Sequence, residues 1–316
     1  MPSRLDNTGG PARAEFTPSA RDPVALNGAS SSAPSSRWDP SRNTTTTTTT
    51  AAAAARSYSP SSSRTSSPTA SDIINLAPFF PHGEKSLAGI AIRAFCLGAA
   101  LMLSFLLVIY INFISPTPHP IWRAPFFLGT LSLFHFLEFW VTAQRNTPVA
   151  NIDSFLLTQN WPSYAIAHSL AFLETIGVSL FFPNRNWSPF GIPQSLYIVA
   201  GIILIIVGQA VRTIAMYQAG ASFNHQVQQR RAATHTLVTR GVYSFVRHPS
   251  YFGFFWWGLG TQLVLGNLFC FCAYAAVLWV FFRDRIEHEE DKLVDFFGQD
   301  YQRYRKRVPT RIPFIS

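Results

Sequence analysis

Charge is scarce in this chain. Asp, Glu, Lys and Arg make up 13% of its 316 residues, against about a quarter in a typical water-soluble domain. Between Phe252 and Phe282 there is no charged residue at all. The deficit is deeper than the average suggests, because residues 1–70 are polar and the rest of the chain is far too apolar for a soluble core. Cysteine is also sparse. Cys96, Cys270 and Cys272 all fall in apolar segments, which excludes a disulfide framework and a zinc spacing and predicts three buried thiols packing as small hydrophobes. Several catalytic signatures are absent: G-x-x-x-x-G-K-[ST], H-E-x-x-H and G-x-S-x-G. Gly258-Leu259-Gly260 lies inside an apolar run, not between a strand and a helix, so it is no dinucleotide loop; small residues there predict close helix approach.

Apolar and aromatic residues fill the gap. Hydrophobic residues reach 48%, with 28 Phe, 10 Tyr and 8 Trp, and mean hydropathy is +0.14. The expected fold class is all-α: a polytopic helical membrane protein. The net charge of +9 does not point to nucleic acid, because the cations sit in the tails and one loop, a positive-inside pattern.

Residues 1–70, with a seven-threonine run at 44–50 and five alanines at 51–55, have no apolar periodicity and read as a disordered tail. They contain no apolar core of the kind a signal peptide needs. A span needs about 20 apolar residues, and candidates lie at about 87–114, 121–143, 163–182 and 194–216. The run 252–282 is too long for one span and too short for two, and Gly266–Asn267 near its middle predicts a tight hairpin with legs 252–265 and 268–282. Six membrane helices put both termini on one face. The loop 217–250 carries Arg230, Arg231, Arg240 and Arg247 with no acid. With the basic C-terminal tail it marks that face as cytosolic. The expected division is a tail (1–70), membrane helices 1 to 4 (71–222) and a catalytic region (223–316) holding a cofactor-binding loop, the hairpin and a C-terminal cytosolic helix.

Two polar pieces flank the hairpin: 223–251 and 281–301. A hairpin returns the chain to the face it left, so the two should meet at its mouth. His225, His235 and His248 are too widely spaced for a metal reading to lead; His235 and His248 better suit hydrogen bonds to a polar ligand or to a helix end at the interface. Arg285 and Glu289 lie four apart and share a helix face, while Asp284, Glu287, Glu290, Asp291 and Lys292 suit a solvated face. Glu138 and Glu174 are costly inside spans and read as buried structural groups, with His135 as the expected partner of Glu138.

H-T-L-V-T-x-G-V-Y at 235–243, R-H-P-S-Y at 247–251, G-T-Q at 260–262, F-F-R-D-R-I-x-x-E-E at 281–290, F-F-G-x-x-Y at 296–301 and R-V-P-T-x-I-P-F-I at 307–315 resemble the isoprenylcysteine carboxyl methyltransferases. The resemblance is dense over 223–315, looser over 87–222 and absent from the tail. It implies an S-adenosyl-L-methionine-dependent, multi-pass enzyme of the endoplasmic reticulum membrane, its cofactor pocket facing the cytosol. It would methylate the C-terminal S-prenylcysteine carboxylate of CaaX-type proteins, with membrane lipid around the prenyl chain. Gln228, His235, Thr236, Leu237, Val238, Tyr243, His248, Pro249, Ser250, Tyr251 and Glu289 would line the cofactor pocket, Arg285 would face the substrate carboxylate, and no metal is implied. Glu289 would bind a cofactor donor or restrain Arg285. Shorter R-H-P-x-Y and E-E patterns occur in membrane phospholipid methyltransferases, so a phosphatidylethanolamine N-methyltransferase is the alternative; a sterol reductase would need a nicotinamide phosphate site. Prenyl length and oligomeric state stay open.

Overall fold

The computed structural model describes residues 76–158, 161–184 and 191–315; the Ser/Thr-rich stretch 1–70 lies outside them. Every regular element among these residues is a helix. α1 (Leu87–Ile109) continues through a wider turn at Tyr110–Ile114. It is followed by α2 (Arg123–Arg145), α3 (Ser163–Phe181), α4 (Gln194–Ala219), α5 (Pro249–Leu265), α6 (Leu268–Phe297) and α7 (Gln299–Arg307). Four segments, Leu87–Ile114, Pro120–Arg145, Ser163–Phe181 and Gln194–Ser222, are long and apolar enough to cross a bilayer, within a few residues of the expected spans. The protein is a multi-pass helical membrane protein. α1 exposes Phe95, Met102 and Phe105, and its continuation exposes Phe113, as a lipid-facing helix must. Cys96 and Cys272 are also exposed, and only Cys270 is buried. The expectation of three buried thiols therefore fails at two positions, because an apolar side chain in a membrane can face lipid instead of a core.

α5 has 17 residues and would extend about 25 Å, short of a full hydrocarbon core of about 30 Å. α6 runs unbroken for 30 residues, so its apolar first half and its charged second half form one rod. The C-terminal helix expected as a separate unit is thus largely an extension of the hairpin's second leg, followed by the short α7.

α4 and α5 pack with their backbones nearly touching. A Cβ added at Gly208 would lie 2.6 Å from the Gly253 carbonyl oxygen and 2.7 Å from the Trp257 nitrogen; one at Gly260 would lie 2.8 Å from the Gly201 carbonyl oxygen. Glycines two turns apart on each helix therefore face each other, which explains Gly260, while Gly258 gives room to Leu278 of α6. Since backbone cannot yield, Gly208→Val is expected to destabilise the protein by about 3 kcal/mol, at the upper end for overpacking, read as a lower thermal midpoint in detergent. An unchanged midpoint would contradict this packing.

The hairpin turn is tied down by α3. Gly266 takes the left-handed conformation at φ 70° and ends α5. The Asn267 amide donates to the Ala171 carbonyl at 3.0 Å and to Gln262 Oε1 at 2.9 Å, and its oxygen accepts from Thr175. Glu174 then accepts the first free N–H groups of α6, from Phe269 at 3.0 Å and Cys270 at 2.8 Å. A carboxylate at the positive end of a helix needs no cationic partner, which accounts for Glu174 in a span. After α7 the chain folds back. Ile312 and Ile315 join the core formed by Phe127, Phe134, Trp257, Phe282 and Ile286, and the Pro309 carbonyl accepts the Arg247 N–H at 3.1 Å.

Candidate active site

The start of α5 and the second half of α6 meet where the hairpin closes. Pro249 opens α5 with its fixed φ, and His248 stands just before it. The His248 ring stacks on Tyr251, with centroids 5.6 Å apart and planes within 4°. The Tyr251 phenol donates to Glu289 Oε2 at 2.5 Å and accepts from Arg285 Nε at 2.9 Å. Arg285 Nη2 also donates to the His225 carbonyl. Arg285 and Glu289 thus share a face, yet Tyr251 stands between them. Among the described residues Arg285 forms no carboxylate ion pair, and Tyr251 holds its guanidinium off Glu289.

Glu290 behaves unlike its neighbour. It is 2% exposed and accepts from Arg247 Nε at 2.5 Å, pairs with His248 Nε2 at 3.0 Å and meets Arg305 at 3.0 Å. Burial alone would raise its pKa, but His248 and Arg247 together hold the carboxyl down at about 2. The solvated face expected for this helix therefore excludes Glu290, which turns about 100° from Glu289 around the rod and into the body. Because its folded pKa is depressed, the stability it contributes is complete above the ordinary carboxylate range and declines as pH falls toward about 2. The gap in thermal midpoint between wild type and Glu290→Gln should accordingly narrow between neutral pH and strong acid. A gap that widens with acid would contradict this pairing.

A cleft of about 660 Å³, counting its open mouth, lies against these groups. Of the residues the resemblance marks for the cofactor, His235, Thr236, Leu237, Val238, Tyr243, His248, Pro249, Ser250, Tyr251 and Glu289 line it, joined by Phe297, Tyr301 and Tyr304. Gln228 and Arg285 are not in its wall. Gln228 is half-buried farther along the same loop, and Arg285 reaches the cleft through Tyr251. Burial and nearby Glu289 push the Tyr243 phenol above its ordinary pKa, and burial with Glu290 does the same for Tyr301, so both are neutral. Burial and Arg231 lower His235. Its Nδ1 is buried with no protein partner among the described residues, and the ring sits edge-on to Phe296 and Phe297. The three histidines weighed as ligands go to three places: His248 to Glu290, His235 to the aromatic pair, and His225 to Thr142 at 3.4 Å. Among the described residues no group of three metal-ligating side chains forms.

Beneath the site lies an ion pair that the sequence did not reveal. Glu138 of α2, 1% exposed, receives Arg212 of α4, 7% exposed, through two bonds, Nε to Oε1 at 2.5 Å and Nη2 to Oε2 at 2.8 Å. The remaining nitrogen of Arg212 donates to Ser250 Oγ at 2.8 Å and to the Ser250 carbonyl at 3.3 Å. The partner of Glu138 is therefore Arg212. His135 instead meets the Phe155 carbonyl at 2.7 Å and the Tyr164 hydroxyl at 3.1 Å. The available signal was an arginine alone in an apolar span, which must find an anion. His225 packs over the pair, 3.7 Å from Glu138 Oε2, and burial lowers its pKa to about 4, leaving a neutral ring. The two groups that fix Arg285, the Tyr251 phenol and the His225 carbonyl, thus belong to segments that meet this one pair.

Comparison with known proteins agrees with the motifs. A family model described as the isoprenylcysteine carboxyl methyltransferase family matches residues 201–295. The protein-S-isoprenylcysteine O-methyltransferase of Saccharomyces cerevisiae is 47% identical over 189 residues, 60% of this chain and 79% of that protein. The Homo sapiens enzyme of the same name is 44% identical over 191 residues, 60% of this chain and 64% of that protein. The Xenopus laevis one is 40% identical over 244 residues, 74% of this chain and 76% of that protein. The solved structure of a eukaryotic intramembrane Ras methyltransferase, an isoprenylcysteine carboxyl methyltransferase, superimposes with a TM-score of 0.64 at 36% identity, covering 77% of this chain and 82% of that one. On this identity and coverage the chain belongs to the isoprenylcysteine carboxyl methyltransferase family.

Proposed function

We propose that the protein methyl-esterifies the C-terminal carboxylate of S-prenylcysteine, with S-adenosyl-L-methionine as donor. The observation that carries this reading is the pair of opposite charges held apart by Tyr251. Arg285 offers a guanidinium with no carboxylate partner among the described residues, which suits an anionic acceptor. Glu289, its side chain 29% exposed, faces the cleft beside Tyr243, Tyr251 and Phe297, a setting that suits a cationic sulfonium through charge and ring faces. The unpaired His235 nitrogen offers a further polar contact for the same group. Bound there, the sulfonium supplies an already activated methyl group.

The acceptor needs no base. A terminal carboxyl has a reference pKa of about 3.5, so at neutral pH it is already the nucleophile. The chain's residues then align and partly desolvate it. Arg285 binds one carboxylate oxygen and leaves the other free, while Tyr251 keeps Glu289 from neutralising Arg285. An ammonium acceptor, as in phosphatidylethanolamine, would first have to lose a proton and would gain nothing from an adjacent guanidinium; that alternative is not favoured.

We assign the acceptors to CaaX-type proteins trimmed to their prenylated cysteine. The isoprenoid stays in lipid, each buried CH₂ contributing about 0.8 kcal/mol. The membrane is assigned as endoplasmic reticulum, with the site on the cytosolic face. The acid-free basic loop 217–250 and the basic tail support that orientation. In this division 223–316 carries the chemistry and 71–222 the supporting helices, α4 contributing Arg212 from below.

The test is to incubate membranes containing the protein with methyl-labelled donor and N-acetyl-S-farnesylcysteine. A base-labile methyl ester is the expected product. Label appearing in phosphatidylethanolamine without ester would overturn the assignment.

A further inference from the structure

We propose that a second cavity, across the segment 223–226 from the first, receives the polypeptide that precedes the prenylated cysteine. The inference deepens, and rests on, the function proposed above. The cavity measures about 650 Å³ with its open mouth, and Thr142, Asn151, Asp153, Asn224, His225 and Gln226 are among its walls. Phe223 and Asn224 line both cavities, one from each side. Arg285 joins the two, since its Nε meets Tyr251 in the wall of the first and its Nη2 meets the backbone of His225 in the wall of the second.

The chemistry of the acceptor makes a third route necessary. A prenylated C-terminal cysteine branches three ways from one Cα. Its carboxylate must reach Arg285 and the donor. Its thioether carries the isoprenoid toward lipid. Its amide nitrogen continues into a polypeptide, which brings a hydrogen-bond donor and acceptor with nearly every residue and needs polar partners or water. The second cavity suits that third branch and is a poor host for the second, because its wall carries the amides of Asn151, Asn224 and Gln226 and the carboxylate of Asp153, which an isoprenoid would desolvate without replacing water. It lies between the end of α2 with its adjoining loop and the loop after α4, both on the face to which the basic loop belongs, so a chain within it leaves on the side where the acceptor's folded domain resides. Asp153 is exposed and puts one carboxylate in the cavity wall, suited to the basic residues that commonly precede prenylated cysteines.

The full-length protein in membranes provides the test, with N-acetyl-S-farnesylcysteine and two short farnesylated peptides as acceptors, one with lysines and one with glutamates before the cysteine. Gln226→Trp fills the cavity from its wall. It is expected to lower the ratio of kcat/KM for the lysine peptide to that for the small acceptor by about tenfold. Asp153→Lys is expected to reduce the preference for the lysine peptide over the glutamate peptide by about tenfold, by placing like charges together. Both ratios staying within about twofold of wild type would overturn the proposal. If the wild type esterifies the small acceptor but neither peptide, the cavity reading fails alone; if it esterifies none of the three, the proposed function falls and this proposal with it.

Discussion

Arg285→Ala is expected to lower kcat/KM for ester formation by about a thousandfold while leaving donor affinity within a few fold. Truncating one member of a desolvated charge pair costs about 2–5 kcal/mol, and each 1.36 kcal/mol is a factor of ten. Donor affinity is spared because the cleft is walled by His235, Tyr243, His248, Tyr251 and Glu289, whereas Arg285 is outside that wall. Arg285→Lys should recover little. A lysine ammonium is a compact point charge, and it cannot reach both the Tyr251 phenol and the His225 carbonyl in the geometry of a planar fork. Tyr251→Phe should fall between wild type and Arg285→Ala. Without the phenol, Arg285 is free to approach Glu289, and the cation that should meet the acceptor is partly neutralised. Parallel loss of donor binding and turnover in Arg285→Ala would place the arginine in the donor site instead.

Glu138→Ala should have the largest effect on stability, about 3–5 kcal/mol, the range for leaving one member of a buried ion pair without its partner. Arg212 is nearly inaccessible and sits between Phe134 and Phe254. The double substitution Glu138→Leu with Arg212→Met removes both charges, and most of the lost stability should return. Activity should not return with it. The apolar pair no longer holds Ser250 Oγ or the backbone before Tyr251, so kcat should remain depressed in a protein of near-native thermal midpoint. Full activity in the double variant would show that the pair supports the fold without orienting the site.

Much of this architecture is legible in the sequence because a membrane imposes a simple rule, about 20 apolar residues per span. Gly266 and Asn267 mark the hairpin because a left-handed residue closes the short turn and the polar side chain after it ties the turn to α3. That the two polar pieces meet follows from the hairpin, whereas the cleft residues within 235–251 were marked only by the resemblance of their motifs to a known family. Pairings across helices were not legible. Glu138 of α2 and Arg212 of α4 are far apart in the chain and meet only where those two helices pack. Nor does the run Glu289-Glu290 reveal that one carboxylate faces the cleft and the other is buried against Arg247 and His248. Neighbouring residues on a helix point about 100° apart, and which faces inward depends on the rod's rotation. Gln228 shows the reverse limit, a residue that the resemblance implies for the cofactor pocket and that the structure leaves outside the cleft wall.

The central claim is that Arg285 holds the acceptor's carboxylate. The most direct measurement is an inhibition cycle, comparing N-acetyl-S-farnesylcysteine with its carboxamide in wild type and in Arg285→Ala. Wild type should bind the carboxylate more tightly than the carboxamide by about a hundredfold, and Arg285→Ala should bind the two almost equally, since a coupled charge pair loses its preference when either member is removed. The same preference in both proteins would contradict the account.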